Sequence, residues 1–198
     1  MRIAVFGAGG RTGRKLVGQA LARGHEVVGF VRDGSTFEPH ERLGVVEGDA
    51  RDGGAVEKAL GASDAVISVL SLAKPEDELQ YSEATRTVVD AAGRAGVRRV
   101  VLTANNTVFS DRELTGEYAP VGREHRRNVE TLRRSGLDWT VGAAPWVVDD
   151  PGTGSYEAVV DAKGPGQQLP TADFATFLLD ALERDDWVGH IVGVSSPA

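Results

Sequence analysis

The sequence predicts an α/β fold in which helices cover both faces of a doubly wound parallel sheet. Short apolar runs, many of them rich in β-branched residues, alternate with amphipathic helical segments along the chain. Such alternation is typical of parallel strands joined by right-handed helical crossovers. The chain has 198 residues, 41% of them hydrophobic, which suits one full core. We therefore predict a single domain over residues 1–198.

Each predicted element follows from its local pattern. Predicted strands are apolar runs bounded by turn residues, and predicted helices carry apolar residues at helical spacing. Gly24 follows the first helix, where a left-handed cap is expected. The predicted strands are Ile3–Phe6, Glu26–Val31, Gly44–Glu47, Ala65–Leu70, Arg99–Thr103, Asp138–Ala143 and His190–Val194. The predicted helices are Arg11–Arg23, Gly54–Leu60, Glu76–Ala95, Ala119–Ser135 and Thr171–Glu183.

Residues 145–170 show neither period and are rich in glycine and proline. We predict an irregular segment there. It comes too late in the chain to separate a second domain, so we expect a loop region on the substrate side. Two roles stay open at this point: a mobile cover over a pocket, or an ordinary surface loop.

Charge and composition restrict the classes of partner. The net charge of −7 gives the chain no electrostatic reason to bind nucleic acid or anionic lipid. The absence of cysteine excludes disulfides, a thiolate nucleophile and a Cys-ligated zinc site, and we predict no metal site. No apolar run approaches the roughly 20 residues of a membrane span. We expect a cytoplasmic monomer or homodimer that acts on a small-molecule substrate.

A glycine-rich turn connects the first predicted strand to the first predicted helix. Gly7 allows a tight turn, Gly10 lets the backbone approach a pyrophosphate, and Gly13 lets the helix pack close to the sheet. The N–H groups of the first helical turn then face the phosphates. This predicts a Rossmann-type dinucleotide site, with a turn that binds no ligand as the alternative. The predicted residues are Gly7, Gly9, Gly10, Arg11, Thr12 and Gly13.

The end of the second predicted strand decides between NADP and NAD. Arg32 stands first there and could pair with the 2′-phosphate of NADP, and Arg11 could reach the same phosphate from the glycine turn. An acidic residue at this point would bind the ribose hydroxyls of NAD, and Asp33 keeps that alternative open. Arg32 as a solvated surface charge is a further alternative. We predict NADP(H) as the cofactor.

Five stretches carry a resemblance to a known family, and that resemblance covers most of the chain. They are Val5–Gly13, Val31–Asp33, Val46–Ala50, Val66–Leu70 and Leu132–Thr140. The sequence resembles the atypical short-chain dehydrogenases/reductases, namely the NAD(P)H-binding, NmrA-like proteins and the flavin reductase/biliverdin-IXβ reductase type. The resemblance implies the Rossmann fold and a nicotinamide cofactor, and it says little about the substrate.

The resemblance also implies roles for residues at the ends of three further strands. Asp49 and Ala50 are expected beside the adenine, although Asp49 could simply form a turn. Val69, Leu70 and Ser71 are expected beneath the ribose on the nicotinamide side. Thr103 is expected beside the nicotinamide. All these positions lie at carboxyl ends of predicted strands, the ligand edge of an open parallel sheet.

The Tyr-x-x-x-Lys pair of ordinary short-chain dehydrogenases is missing from this sequence. His125 shares a helical face with Val129 and Leu132, and the resemblance also implies a histidine there, so it is a candidate general acid. A structural histidine is the alternative. Asn105 and Tyr118 are the other catalytic candidates, although Asn105 could instead cap a turn.

Trp146 follows the sixth predicted strand, where it could stack on a flat substrate or lie in the core. Arg-Pro is more frequent in the family than the Ala144-Pro145 found here, so a phosphate or carboxylate contact at this point is in doubt. We expect Trp146, as a stacking surface, and Asn105, as a hydrogen-bond donor, to contact the substrate.

Three functions fit these patterns. The first is an NADPH-dependent reductase of a small or flat organic acceptor such as a quinone, flavin, enone or carbonyl, because hydride transfer needs alignment more than a strong acid. The second is a non-catalytic NADP(H)-sensing regulatory protein of NmrA-like type. The third is a non-redox, isomerase-type enzyme on the same fold.

Overall fold

The computed structural model describes residues 1–34, 37–71, 78–110, 115–116 and 119–198. The strands are β1 (Arg2–Phe6), β2 (Glu26–Val31), β3 (Leu43–Glu47), β4 (Ala65–Ser68), β5 (Arg99–Asn105), β6 (Asp138–Ala144), β7 (Trp146–Val148), β8 (Glu157–Val160), β9 (Gln168–Pro170) and β10 (His190–Ser195). The α-helices are α1 (Arg11–Ala22), α2 (Gly53–Leu60), α3 (Gln80–Ala95), α4 (Ala119–Ser135) and α5 (Thr171–Leu182).

The central sheet has eight strands in the order β3-β2-β1-β4-β5-β6-β10-β8. Neighbouring strands are parallel except for β8, which pairs antiparallel with β10. The order from β3 to β6 is that of the dinucleotide-binding Rossmann sheet, in which the crossover reverses beside β1. The predicted fold class is confirmed.

Helices lie on both faces of this sheet, which explains the continuous apolarity of its central strands. In β1, Ala4 and Phe6 belong to the core shared with α2, α3 and α4, whereas Ile3 and Val5 belong to the core shared with α1 and α5. This alternation has the two-residue period of a strand. No helix among the described residues is long and apolar enough to cross a membrane.

Arg99 joins three elements at the sheet edge where β5 begins. Its guanidinium donates to the Asp138 carbonyl at 2.7 Å and to the Thr140 hydroxyl at 2.8 Å. It also donates to the carbonyls of Ala181 and Leu182 at the end of α5. Burial lowers the pKa of Arg99. The guanidinium satisfies carbonyls at the end of α5 and so links this helix to the starts of β5 and β6.

Three predicted boundaries differ from the structure by two residues or more, one of them the end of β5, which lies at Asn105 and not at Thr103. Helix α3 begins at Gln80, and residue 76, where we predicted its start, lies outside the described residues. Leu79, immediately before the helix, has a φ of 82°, a value incompatible with helix. Strand β4 ends at Ser68 because its pairing with β1 and β5 stops there, two residues before the predicted Leu70.

The prediction of an irregular segment over residues 145–170 was wrong in part, because β7, β8 and β9 lie within it. Strand β8 returns to pair with β10, and β7 pairs with β9. Asp173 of α5 is buried and accepts hydrogen bonds from Thr153 N at 2.8 Å and Gly154 N at 2.9 Å. This part of the segment is therefore fastened to α5. Its role on the substrate side stays a prediction.

Candidate functional site

A cleft of about 500 Å³ opens at the carboxyl ends of β1, β2, β3 and β4. This volume lies within the range of small-molecule sites. The start of α3 forms one wall. Nine of the predicted cofactor-binding residues line the cleft: Gly7, Gly9, Gly10, Arg32, Asp49, Ala50, Val69, Leu70 and Ser71. The described lining does not include Arg11, Thr12, Gly13 or Thr103.

The glycine turn has the geometry that its sequence predicts. Gly7 has a φ of +81°, and a Cβ there would lie 3.0 Å from the Val69 carbonyl carbon. A Cβ on Gly13 would lie 2.2 Å from the Gly7 oxygen. No real Cβ comes within 2.2 Å of a backbone oxygen, so Gly13 must be glycine, and the left-handed φ of Gly7 beside so tight a contact favours glycine there.

Helix α1 begins directly after this turn, with Gly10 as its N-cap and no side chain bonded to the cap. Arg11 and Thr12 stand in its first turn. Because an uncapped first turn keeps N–H donors at the positive end of the helix dipole, it suits a phosphate. The residues present therefore fit a dinucleotide diphosphate.

The far end of the cleft is polar on one side and apolar on the other. Arg32 is exposed at the end of β2, next to Asp33. Phe30 packs its ring 5.0 Å from that of Phe6, and a Cβ on Gly48 would lie 2.8 Å from the Ala55 methyl. Gly48 therefore keeps the chain close to α2.

Asp49 is paired with Arg51, which the sequence analysis did not anticipate. Arg51 Nε lies 3.0 Å from Asp49 Oδ1, and Nη2 lies 2.5 Å from Oδ2. The Arg51 backbone N–H also donates to Oδ1 at 2.9 Å. Hydrogen bonds from the side chain and backbone of Arg51 lower the pKa of Asp49 to about 2, and the charge of Arg32 contributes.

Sequence reasoning missed Arg51, although it also lines the cleft. The available signal was local. An Asp followed two residues later by a donor at a strand end is the pattern of an Asx turn. The other lining residues that we missed are Phe30, Val31, Gly48, Gln80, Tyr81 and Ala84.

Among the residues that α3 contributes to the cleft wall, Tyr81 is the one with an ionisable side chain. Its hydroxyl donates to the Thr103 carbonyl at 3.3 Å, at the end of β5. Burial raises the pKa of Tyr81. Its ring meets that of His125 edge to face, with the centroids 5.5 Å apart. Tyr81 thus lies between the cleft and α4.

His125 lies behind this wall and is only 8% exposed. Burial lowers the pKa of His125 to about 4, and the nearby charge of Glu124 offsets part of the effect. Within the described chain its Nδ1 atom has no hydrogen-bond partner. A neutral imidazole that does not line the cleft is a poor proton donor near pH 7. Its catalytic role stays a prediction.

A buried carboxylate holds the start of α3 against α4. Glu124 is fully buried and accepts hydrogen bonds from Ser82 N at 2.7 Å, Ser82 Oγ at 3.2 Å and Arg127 Nη1 at 2.5 Å. Ser82 N–H belongs to the first turn of α3, so Glu124 caps that helix from a neighbouring one. This fixes the cleft wall that contains Tyr81.

The other predicted catalytic and substrate residues are dispersed. Asn105 Oδ1 accepts from Thr107 N at 3.1 Å and so caps a short turn, the alternative that its sequence context offered. Trp146 is 68% exposed, which excludes the core alternative. Tyr118 lies outside the described residues.

Fold and cleft together define a dinucleotide-binding α/β protein of Rossmann type. The chain belongs to the NAD(P)H-binding family, whose sequence profile matches residues 7–185. The uncharacterized protein YwnB of Bacillus subtilis is 27% identical, and the match covers 94% of each chain. The predicted family resemblance is confirmed.

Solved structures have the same fold. The anaerobilin reductase ChuY of Escherichia coli O157:H7 has a TM-score of 0.86 at 23% identity, covering 100% of this chain and 98% of that one. A wide-type short-chain dehydrogenase/reductase of Veillonella parvula, in complex with NADP, has a TM-score of 0.84 at 21% identity, covering 100% and 95%. Other curated relatives are longer, and this chain spans between 12% and 36% of their length.

Proposed function

We propose that this protein is an NADPH-dependent oxidoreductase that reduces a small or flat organic acceptor by hydride transfer. One observation carries the proposal: the cleft runs from the glycine-rich turn before α1, where no side chain caps the helix, to Arg32 at the end of β2. The first feature suits a diphosphate and the second suits a 2′-phosphate. Residues 145–170 are proposed as the substrate-side region.

The chain's own residues would divide the cofactor among them. The backbone of Gly7, Gly9, Gly10 and Gly13 and the first turn of α1, with Arg11 and Thr12, would hold the diphosphate. Arg32 would hold the 2′-phosphate, and Ala50 would border the adenine. Val69, Leu70, Ser71 and Thr103 would support the nicotinamide side. The bound nicotinamide supplies the hydride.

The proposed acceptor side offers an aromatic surface and lacks the proton donor of a Tyr-x-x-x-Lys pair. Trp146, exposed just after β6, offers a face on which a flat conjugated molecule can stack. Asn105 lies at the end of the neighbouring strand β5. The similar fold of ChuY, an anaerobilin reductase, supports this reaction class. Alignment of hydride and acceptor, with a proton from water, accounts for a reaction without Tyr-x-x-x-Lys.

Nucleotide affinities of an Arg32→Ala variant test the proposal. We expect NADPH to bind about 30-fold more weakly and NADH to change less than about 3-fold, because a charged hydrogen bond to the 2′-phosphate is lost. Arg94→Ala is the control, since Arg94 pairs with Glu57 between α2 and α3, outside the cleft lining. Equal losses for both nucleotides would show that Arg32 does not bind the 2′-phosphate.

A second candidate function is a non-catalytic sensor of NADP(H). It is favoured by the position of His125, which is buried and neutral behind Tyr81. The two functions are separated by following NADPH absorbance with quinones, flavins and enones. Consumption of NADPH supports the reductase, whereas tight binding without turnover supports the sensor. Conversion of a substrate without NADPH consumption would instead indicate the isomerase-type function.

A further inference from the structure

Two guanidinium groups act on one carboxylate at the adenine end of the cleft. Arg51 holds Asp49 through both of its side-chain oxygens, at 3.0 Å and 2.5 Å. Arg32, at the end of the neighbouring strand β2, is close enough for its charge to act on Asp49 as well. All three side chains line the same cleft. Arg51 therefore occupies a position where its charge affects what Arg32 can bind.

Without Arg51, the charge balance of this end would change. An unpaired Asp49 carboxylate would attract Arg32 and so compete with a 2′-phosphate for it. The same carboxylate would repel the phosphate, which carries close to two negative charges. A nucleotide with a free 2′-hydroxyl would experience neither effect. The charge on Asp49 thus distinguishes NADPH from NADH, and Arg51 neutralises it.

We propose that Arg51 is a specificity-determining residue that neutralises Asp49 and thereby leaves Arg32 available for the 2′-phosphate of NADPH. Its action is indirect, through Asp49, and it needs no contact with the phosphate. The inference rests on the proposed function, since it concerns the same nucleotide site.

The local structure allows this charge to be changed without disturbing the fold. Arg51 and Asp49 are about half exposed and lie in the turn between β3 and α2. The cap of α2 is a separate group, because Asp52 Oδ1 accepts from Gly54 N at 2.9 Å. Asp33 is the other carboxylate that lines this end, and it is the same in every variant compared.

The experiment is a double-mutant cycle of nucleotide affinity, measured by calorimetry with NADPH and NADH. The proteins are the wild type, Arg51→Gln, Asp49→Asn and the double variant. We expect Arg51→Gln to weaken NADPH about 10-fold and NADH less than about 2-fold. We expect the double variant to return the ratio of NADPH to NADH affinity to within about 3-fold of the wild-type ratio, because no unpaired carboxylate is left and the loss of any Asp49 contact with the adenine acts on both nucleotides alike.

Arg94→Gln is the matched control, since it also breaks an exposed Arg–carboxylate pair, to Glu57 at 2.9 Å, and should change neither affinity. A double variant whose ratio of NADPH to NADH affinity stays as low as that of Arg51→Gln would show that Arg51 contacts the phosphate directly, which overturns the neutralisation. An equal loss of NADPH and NADH affinity in Arg51→Gln would overturn the proposed role of Arg51 in nucleotide specificity. A wild-type protein that binds neither nucleotide would refute the proposed function itself.

Discussion

The two ends of the cleft are rigid for different reasons. At the glycine turn the wall is backbone, and its shape depends on the left-handed φ of Gly7 and on a contact at Gly13 that is too close for any Cβ. At the α3 end the wall is a helix, held in place by the buried carboxylate of Glu124. The backbone of the first end is itself the surface offered to a ligand, with Gly13 packed on Gly7 and Gly7 packed on Val69, whereas the carboxylate at the second end lies buried behind the cleft wall. Substitutions should therefore act on binding at the first end and on stability at the second.

The largest effect is expected at Gly13. Gly13→Ala places a methyl group 2.2 Å from the Gly7 oxygen, so the turn must open and NADPH affinity should fall by at least about 100-fold. Calorimetry measures the loss. Gly18→Ala, in the same helix, is the control because nothing lies within 4 Å of its Cβ. It should keep affinity and add roughly 0.5–1 kcal/mol of stability. Normal affinity in Gly13→Ala would contradict the close packing of the turn.

The α3 end is tested by Glu124→Leu. Loss of this carboxylate leaves Ser82 N–H and Arg127 without their buried partner, so the free energy of unfolding should fall by about 3 kcal/mol. Chemical denaturation measures it. Glu130→Leu removes an exposed pair to Arg134 on the same helix, and should change stability by less than about 0.5 kcal/mol. Similar small effects in both variants would show that Glu124 does not hold α3.

His125 should make stability fall in mild acid. Its pKa is about 4 in the folded protein, below the 6.5 of a solvent-exposed histidine. Between these values the unfolded chain binds the extra proton, so the contribution is complete above pH 6.5 and is lost as the pH falls towards 4. His125→Gln should remove about 2 kcal/mol of the stability difference between pH 7.5 and pH 5. The exposed His40→Gln is the control. An unchanged pH dependence in His125→Gln would show that folding does not lower the pKa of this imidazole.

The smallest effect is expected at Thr85. Its hydroxyl is buried in α3 without a partner among the described residues, so Thr85→Val should leave stability unchanged or raise it by up to about 1 kcal/mol. Thr140 is equally buried, but its hydroxyl donates to the Trp187 carbonyl at 2.8 Å. Thr140→Val should therefore lower stability by about 1–3 kcal/mol. Thermal unfolding compares the two, and equal losses would reveal a partner for Thr85.

Prediction succeeded where a pattern is local. The alternation of strands and helices predicted the sheet, and Gly7-x-x-Gly10-x-x-Gly13 predicted a turn that the structure forms without a capping side chain. The positions of Arg32 and Asp49 in the cleft lining were predicted because the carboxyl ends of parallel strands meet at one edge of the sheet. Arg51 was missed because the strand-end pattern does not indicate that a side chain two residues further on pairs with Asp49.

Prediction failed where long-range packing decides the outcome. Strand β8 was missed because its partner, β10, lies about 30 residues further along the chain. The start of α3 was misplaced because the residue that caps it, Glu124, lies 42 residues after Ser82. The helical face containing His125 was recognised, but its position behind Tyr81 depends on the packing of α3 against α4.

The sequence by itself determined the order of elements, the glycine turn and the cationic strand end, since each needs only residues adjacent in the chain. The tertiary structure alone decided which side chains reach the cleft and which titrate normally. Depth and neighbouring charges set those properties: burial lowers the pKa of His125, and hydrogen bonds from Arg51, with the charge of Arg32, lower the pKa of Asp49. Neither burial nor a through-space charge is encoded by spacing along a single segment.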